Sequence, residues 1–500
     1  MHNAVKNLAK ETIIYTISDI VVRGCSYIVL LLQTGILTPG EYGIITEFYG
    51  SYIAFGSIVY LFSMDIAYFR FLHKLGKECT FNTILTVLLI TTAVCSIILV
   101  LCIPVIAKIT NHISHVRYFY YVVAILILDT FITIFYAVLR AEQKPIKFTI
   151  AKSLQAIINI IFSCILLYVP SSIGFIKHLL FKYCGITVYM NALDAIFITN
   201  LLSNVSALAI LFPQYKSFRF SYNKKVYSAI LGYALASFFT TLFLRLNDIL
   251  PITLFRQLIP TDFYETYTKE EILGNLGTSY KLTLLIRLGI QAFKYAAEPF
   301  FFSNSDKKDA KKLYGQTMHL FILISCVALL LFSLNIDWIA KILIPKAYYR
   351  NTVDIVPYLA FVHILLGVYY NFSIAFKLSN KPQYSTWISA LGCLIVLATS
   401  WLLMPILGHW GGTYASIVGT AAMTLLGYFI SKKLYPIPYY KHGFLVLLIT
   451  FYLLDKVAAW PFKLTFLDLG WAYVLLNILI IAIFYAIAMF SYKYVHSFRK

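Results

Sequence analysis

The sequence predicts an all-α polytopic membrane protein of about 14 transmembrane helices. Three observations carry that expectation. The 500 residues are 60% hydrophobic and only 12% charged, with a mean hydropathy of +0.79. Soluble globular chains of this size do not have that balance. Apolar runs of membrane-crossing length recur along the chain, with basic clusters between them. No polar block is long enough to fold as a soluble enzyme domain.

The spans fall at about residues 12–36, 42–69, 83–107, 117–140, 147–169, 186–212, 226–250, 278–302, 314–336, 353–376, 384–406, 411–431, 442–459 and 468–491. Each is close to the roughly 20 residues that cross a bilayer as helix. The first apolar run, Thr12 to Leu32, holds Asp19 and Arg23 and no small-residue cleavage site, so it reads as a retained helix, not a signal peptide. With the N-terminus inside, 25 of the 41 Lys and Arg lie in inner segments, 11 in outer loops and five within spans. That bias predicts both termini cytoplasmic and accounts for the net charge of +20 without nucleic acid. The loop after span nine, with Lys341, Lys346 and Arg350, fits this pattern worst. The longest outer loop is expected at Pro251–Gly277.

An internal repeat is expected. Residues 1–215 would form one six-helix lobe and 216–435 a second, with two additional helices in 436–500. Six spans is an even number, so the lobes would share orientation, as parallel repeats do. Each lobe opens on a polar-seamed helix. The first seam is Thr12, Thr16, Asp19, Arg23 and Ser26; the second is Ser237, Thr241, Arg245 and Asp248.

Span eight carries the strongest seam. Tyr280, Thr283, Arg287, Gln291, Lys294 and Glu298 follow at steps of three or four, which puts them on one side of a helix. Arg or Lys at mid-membrane costs about 2.5–3.5 kcal/mol on insertion scales, so such residues face protein or a wet cavity. Four cations, Arg23, Arg245, Arg287 and Lys294, therefore suggest an anion site. Arg offers a planar fork to phosphate oxygens and Lys a point charge. The competing reading is local neutralisation. Asp19 and Arg23 are i,i+4 neighbours, as are Lys294 and Glu298, and Arg245 and Asp248 are i,i+3. Glu298, Asp19 and Asp248 are the candidate coupling or gating acids. Glu298 stands beside Pro299, which lacks an N–H and strains the helix there. Asp65, Asp129 and Asp194 are expected near span ends, at the interface.

The remaining residue types point to little chemistry. The eight cysteines show no metal-ligand spacing and sit mostly in apolar runs, which argues against a disulfide framework. His112 and His115 are close, but a loop pair is more often solvated than metal-binding. There is no GxSxG, HExxH, P-loop or basic-loop DxD. No catalytic set, metal site or cofactor is expected, and the chain does not read as an enzyme.

Several stretches carry a resemblance. They are LTPGEYGIITEFYG after the first span, LRAEQKPIKFTIAKSLQ after span four and SYKLTLLIRLGIQAFKYAAEPFFFS around span eight. LLGVYYNFSIAFKLSNKPQYSTWISALG across spans ten and eleven and KKLYPIPY after span twelve complete the set. Together, over about residues 10–440, they resemble bacterial polysaccharide-biosynthesis flippases of the Wzx type. These belong to the multidrug/oligosaccharidyl-lipid/polysaccharide exporter superfamily. The resemblance implies two six-helix lobes around a cationic cavity in the cytoplasmic membrane. It implies transport of undecaprenyl-pyrophosphate-linked oligosaccharide by alternating access, driven by membrane potential or coupled H+ or Na+. Membrane lipid and polysaccharide-assembly proteins would be its partners. Arg23, Tyr280, Lys281, Gln291 and Glu298 match family positions. The family often has an Asp-Arg pair late in span seven; here Asp248 is followed by Ile249, and Arg245 lies one turn earlier. Three alternatives stay open: a lipid II flippase, a cation-coupled drug exporter, and a membrane glycosyltransferase or ligase.

Overall fold

The computed structural model describes residues 2–72, 74–142, 144–168, 191–214, 218–304, 307–379 and 381–458, without the side chains of 2–16, 214, 295–296, 298–299, 302–303, 441 and 455–458. The described chain is almost wholly helical, with no strand. Its helices are α1 (His2–Ile36), α2 (Pro39–Glu47), α3 (Ala54–Leu61), α4 (Met64–Phe71), α5 (Lys77–Ile109), α6 (Val116–Ala141), α7 (Pro145–Tyr168) and α8 (Ala192–Leu211). They continue as α9 (Lys224–Leu258), α10 (Lys269–Ser303), α11 (Ala310–Leu334), α12 (Ile336–Leu343), α13 (Val356–Leu378), α14 (Gln383–Leu407), α15 (His409–Leu434) and α16 (Lys441–Ala458). Eleven stretches among the described residues are long and apolar enough to cross a membrane. The charge-rich α10 falls outside that set by composition, and the apolar part of α16, His442–Leu454, is shorter. The fourteenth expected span, 468–491, lies outside the described residues.

Local chemistry explains several boundaries. Thr38 caps α2: its hydroxyl accepts from the Glu41 amide at 3.4 Å, while the Thr38 amide donates to Glu41 Oε2 at 2.9 Å. Pro39 follows at the first helical position, where its missing N–H costs nothing. Gly43 completes the Pro-x-Glu-Tyr-Gly turn for a packing reason. A Cβ there would overlap the Glu270 backbone, and one at Gly274 would overlap Pro39. The starts of α2 and α10 thus cross backbone to backbone. Asn191 and Asp194 form the same reciprocal cap on α8, each amide donating to the other side chain at 2.9 Å.

The second span is broken twice. A π-helical turn, Phe48–Ile53, separates α2 from α3. Phe62 and Ser63 both adopt left-handed backbone (φ 49° and 54°) between α3 and α4. Span seven corrects an expectation. Pro251 does not end it; α9 runs on to Leu258 with Pro251 buried inside. Together with the early start of α10, this shortens the expected 251–277 loop to residues 259–268. Membrane helices tolerate proline because neighbours re-satisfy the freed backbone groups.

The chain packs as two compact units, residues 1–274 and 275–500. In the first, α7 lies between α1 and α8, α6 packs on α8 and α5, and α9 packs on α3, α4 and the π-turn. Span seven therefore belongs by packing to the first unit, although the expected repeat would divide the chain near residue 215. In the second unit, α15 packs between α13 and α14, and α11 touches both α13 and α16. Outward faces such as Ile97, Leu101 and Val105 on α5, or Trp401 and Ile406 on α14, are exposed and apolar, as lipid contact requires.

Candidate functional site: a two-lysine pocket and a mid-helix carboxyl

The span-eight seam lies along α10, which meets α13 within the second unit and also touches α11 through Phe293–Phe321 and the Tyr314–Phe301 hydrogen bond. Gly367 on α13 makes this possible: a Cβ there would press on the Phe321 ring and on Ile290 of α10. Thr283 is buried; its hydroxyl donates to Tyr280 O at 2.7 Å and lies 3.3 Å from His363 Nε2 on α13. One turn beyond Gln291, the Lys294 ammonium sits 4.2 Å from the centre of the Tyr370 ring. Such a contact holds a cation against an aromatic face without neutralising its charge.

Lys294 lines an open recess between α10 and α13. Its wall is mostly apolar, with Ile290, Phe293, Ala297, Phe301 and Ile374. Its polar groups are Lys294, Lys377, Tyr370, Asn371 and Ser373. Asn371 is buried; its side-chain amide donates to Gly367 O at 3.0 Å, and among the described residues its carbonyl oxygen accepts no hydrogen bond. Two ammonium groups in an apolar recess, beside an amide and a phenol, are an arrangement that accepts an anion bearing several oxygens.

Lys377 was hidden in the linear reading. It stands at the end of its helix, where it counts as an inner basic residue. Only the α10–α13 register brings it to Lys294. Of the other predicted residues, Tyr280, Lys281, Arg287 and Gln291 are half-buried along α10, and Glu298 lies on the same helix with its side chain outside the described residues. Arg23 is half-buried on α1, Arg245 exposed on α9, and Asp248 half-buried one turn later. Asp19 pairs across helices with Lys152 of α7, at 2.8 Å. That contact is invisible to an i,i+4 reading.

The first unit holds two polar clusters. Asp129 corrects the expectation of an interfacial acid: it lies near the midpoint of α6. Asn204 Nδ2 donates to its Oδ1 at 2.7 Å, Gln155 Nε2 donates to Asn204 Oδ1 at 2.9 Å, and the Tyr136 hydroxyl donates to Gln155 Oε1 at 2.9 Å. The buried Tyr49 hydroxyl, carried by the π-turn, lies within electrostatic reach of the same carboxyl. Among the described residues no Lys, Arg or His lies within ion-pairing distance of Asp129.

The second cluster lies at the ends of α2, α9 and α10. Arg256 Nε is 3.0 Å from Glu47 Oε2, and its Nη1 is 2.7 Å from Glu270 Oε1. His112 Nε2 is 3.1 Å from Glu47 Oε2, and the Tyr52 hydroxyl donates to Glu47 Oε1 at 2.9 Å. His112 is fully buried, so the reading of a solvated loop pair does not hold for it. No group of three or more metal-ligating side chains occurs among the described residues.

Solved structures share this fold. An inward-facing multidrug-resistance MATE family transporter of the MOP superfamily aligns over 82% of this chain and 94% of its own, at 12% identity and a TM-score of 0.65. The lipid II flippase MurJ, in an inward closed conformation, aligns over 96% of this chain and 100% of its own, at 14% identity and a TM-score of 0.69. A MATE structure in the straight conformation aligns over 86% and 95%, at 13% identity and a TM-score of 0.59. The chain has the fold of these transporters. No protein-family model and no curated protein matches its sequence.

Proposed function

We propose that this protein is a flippase that carries undecaprenyl-pyrophosphate-linked oligosaccharide across the bacterial cytoplasmic membrane for cell-envelope polysaccharide synthesis. The observation that carries the reading is the pocket of Lys294 and Lys377 between α10 and α13. A diphosphate cannot enter an apolar interior without partners, because burying unpaired charge is prohibitive. Two ammonium groups in a mostly apolar recess meet that need. Arg287, two turns from Lys294 on the same helical face, would extend the cationic track. Arg23 and Arg245 would serve the same cargo if the six-plus-six lobes expected from sequence enclose one cavity. A transporter fold shared with a lipid II flippase supports the class but not the cargo.

Transport requires alternation, which the lobes would provide by rocking about the binding region with both termini cytoplasmic. Asp129 is the coupling group that the described geometry favours. It is a half-buried carboxyl at mid-helix that accepts from the Asn204 amide, and ionisable groups within spans are functional by default. It can take a proton, or bind Na+ with the surrounding amide oxygens. Glu298 remains the sequence-based candidate for the same role.

Paired rescue tests the reading. The gene is expressed in one strain lacking its O-antigen flippase and in another lacking its lipid II flippase. Restored surface polysaccharide in the first alone is the expected result. Rescue of the second alone assigns lipid II as cargo. Drug resistance without rescue of either assigns a drug exporter.

A further inference from the structure

The loop after span nine runs against the positive-inside pattern, and its structure suggests why. Asn335 ends α11, its amide donating to Leu331 O at 2.6 Å, and α12 begins at once. This short helix has three sides. Ile336 and Ala340, with Ile344 beyond, recur at steps of four and are buried against the second unit. Trp338 and Ile342, also four apart, are exposed at 43% and 51%. The charged residues Asp337 and Lys341 lie between those two sides, as the helical repeat requires. Lys341 forms no ion pair among the described residues. Just beyond, Lys346 Nζ stands 5.6 Å from the ring of Tyr348, itself 45% exposed.

The segment is held in place from inside. Thr278 donates to Tyr349 O at 3.0 Å, Ser279 to Thr352 O at 2.9 Å, and the Asn351 amide to Asn275 Oδ1 at 3.0 Å. Residues 349–352, just beyond α12, are therefore tied to α10. On the preceding helix α11, Ile324 is 63% exposed.

We propose that α12 lies flat in the membrane interface and that Lys341 and Lys346 bind the phosphate of an anionic phospholipid headgroup. Trp338 and Ile342 enter the acyl region, and Tyr348 sits at headgroup level, where amphipathic aromatic rings concentrate. Basic residues on a loop that the inside rule would leave neutral are then explained by a local anionic partner. This site is separate from the transport pocket and does not depend on the cargo.

Photocrosslinking of the full-length protein tests it. A benzoylphenylalanine replaces Trp338 in one variant and Ile324 in another. Both are reconstituted in vesicles of equal phosphatidylglycerol and phosphatidylcholine, and the lipid adducts are measured by mass spectrometry. The Ile324 position reports insertion and unbiased lipid contact. The expected result is lipid adducts at both positions, with phosphatidylglycerol enriched about fivefold or more at 338 relative to 324. In the K341Q/K346Q background the two ratios should become equal. Lipid adducts at 324 with none at 338, or enrichment at 338 that survives K341Q/K346Q, would overturn the proposal.

Discussion

Replacing Lys377 with Gln removes one ammonium from the pocket while keeping most of the side-chain length. Lys377 and Lys294 share a recess whose remaining wall is mostly apolar. An anion there has few other charges to meet. A hydrogen bond to a charged group is worth about 1.5–3 kcal/mol, which corresponds to an affinity loss of roughly 10- to 150-fold. Lys377→Arg keeps the charge and should recover most of the loss. Lys294→Gln should cost at least as much, because it also removes the contact with the Tyr370 ring. The assay is binding of a lipid-linked diphosphate to purified protein in nanodiscs, with thermal unfolding as the check on integrity. If K377Q folds normally and binds within twofold of wild type, the pocket does not hold the diphosphate.

Arg287→Ala should abolish polysaccharide export while insertion and expression stay near normal, as read by immunoblot of membranes beside surface polysaccharide. Arg256→Met should destabilise the first unit by about 3–5 kcal/mol, since Glu47 would remain buried with one partner fewer; adding Glu47→Gln should recover much of it in a thermal double-mutant cycle. Asp129→Asn should bind cargo normally and lose the dependence of transport on the ion gradient; unchanged gradient dependence would leave Asp129 a structural member of its amide chain. Burial pushes the Glu142 carboxyl up, but Lys144 and Lys77 outweigh it and hold it below the usual range. A depressed carboxyl stabilises the fold above its unfolded value near pH ~4.3 and loses that contribution as pH falls through the folded value. Half-exposed Lys77 limits the effect, so wild type should exceed Glu142→Gln by up to about 1 kcal/mol at neutral pH and lose that advantage as pH falls through the folded value, measured by thermal melts across pH.

The helices were legible because hydrophobic length and basic punctuation mark them directly. The breaks were not. Phe62 and Ser63 carry no glycine or proline signal, yet both adopt left-handed backbone. Pro251 gave a false stop, because a membrane helix can carry a proline that a soluble one rejects. The Pro-x-Glu-Tyr-Gly turn was readable as a motif, but the reason for Gly43, its crossing with Gly274, lies over two hundred residues away. The site was half legible. The seam on α10 follows from spacing within one helix. Lys377, the Asp19–Lys152 pair and the Glu47–Arg256 pair join residues from different helices, and no periodicity within one segment reports such partners. Asp129 was misplaced although it falls at the middle of the expected span 117–140; what the sequence did not report was its partner, Asn204, on another helix.

The most direct measurement is flipping itself. Purified protein is reconstituted in vesicles with a fluorescent undecaprenyl-pyrophosphate oligosaccharide on one leaflet, beside parallel vesicles with lipid II. Arrival at the other leaflet is read by quenching, with and without an ion gradient. The account predicts gradient-dependent movement of the oligosaccharide carrier, little movement of lipid II, and loss of movement in K294Q/K377Q. Oligosaccharide flux no greater than in empty vesicles, or undiminished flux in K294Q/K377Q, would contradict it.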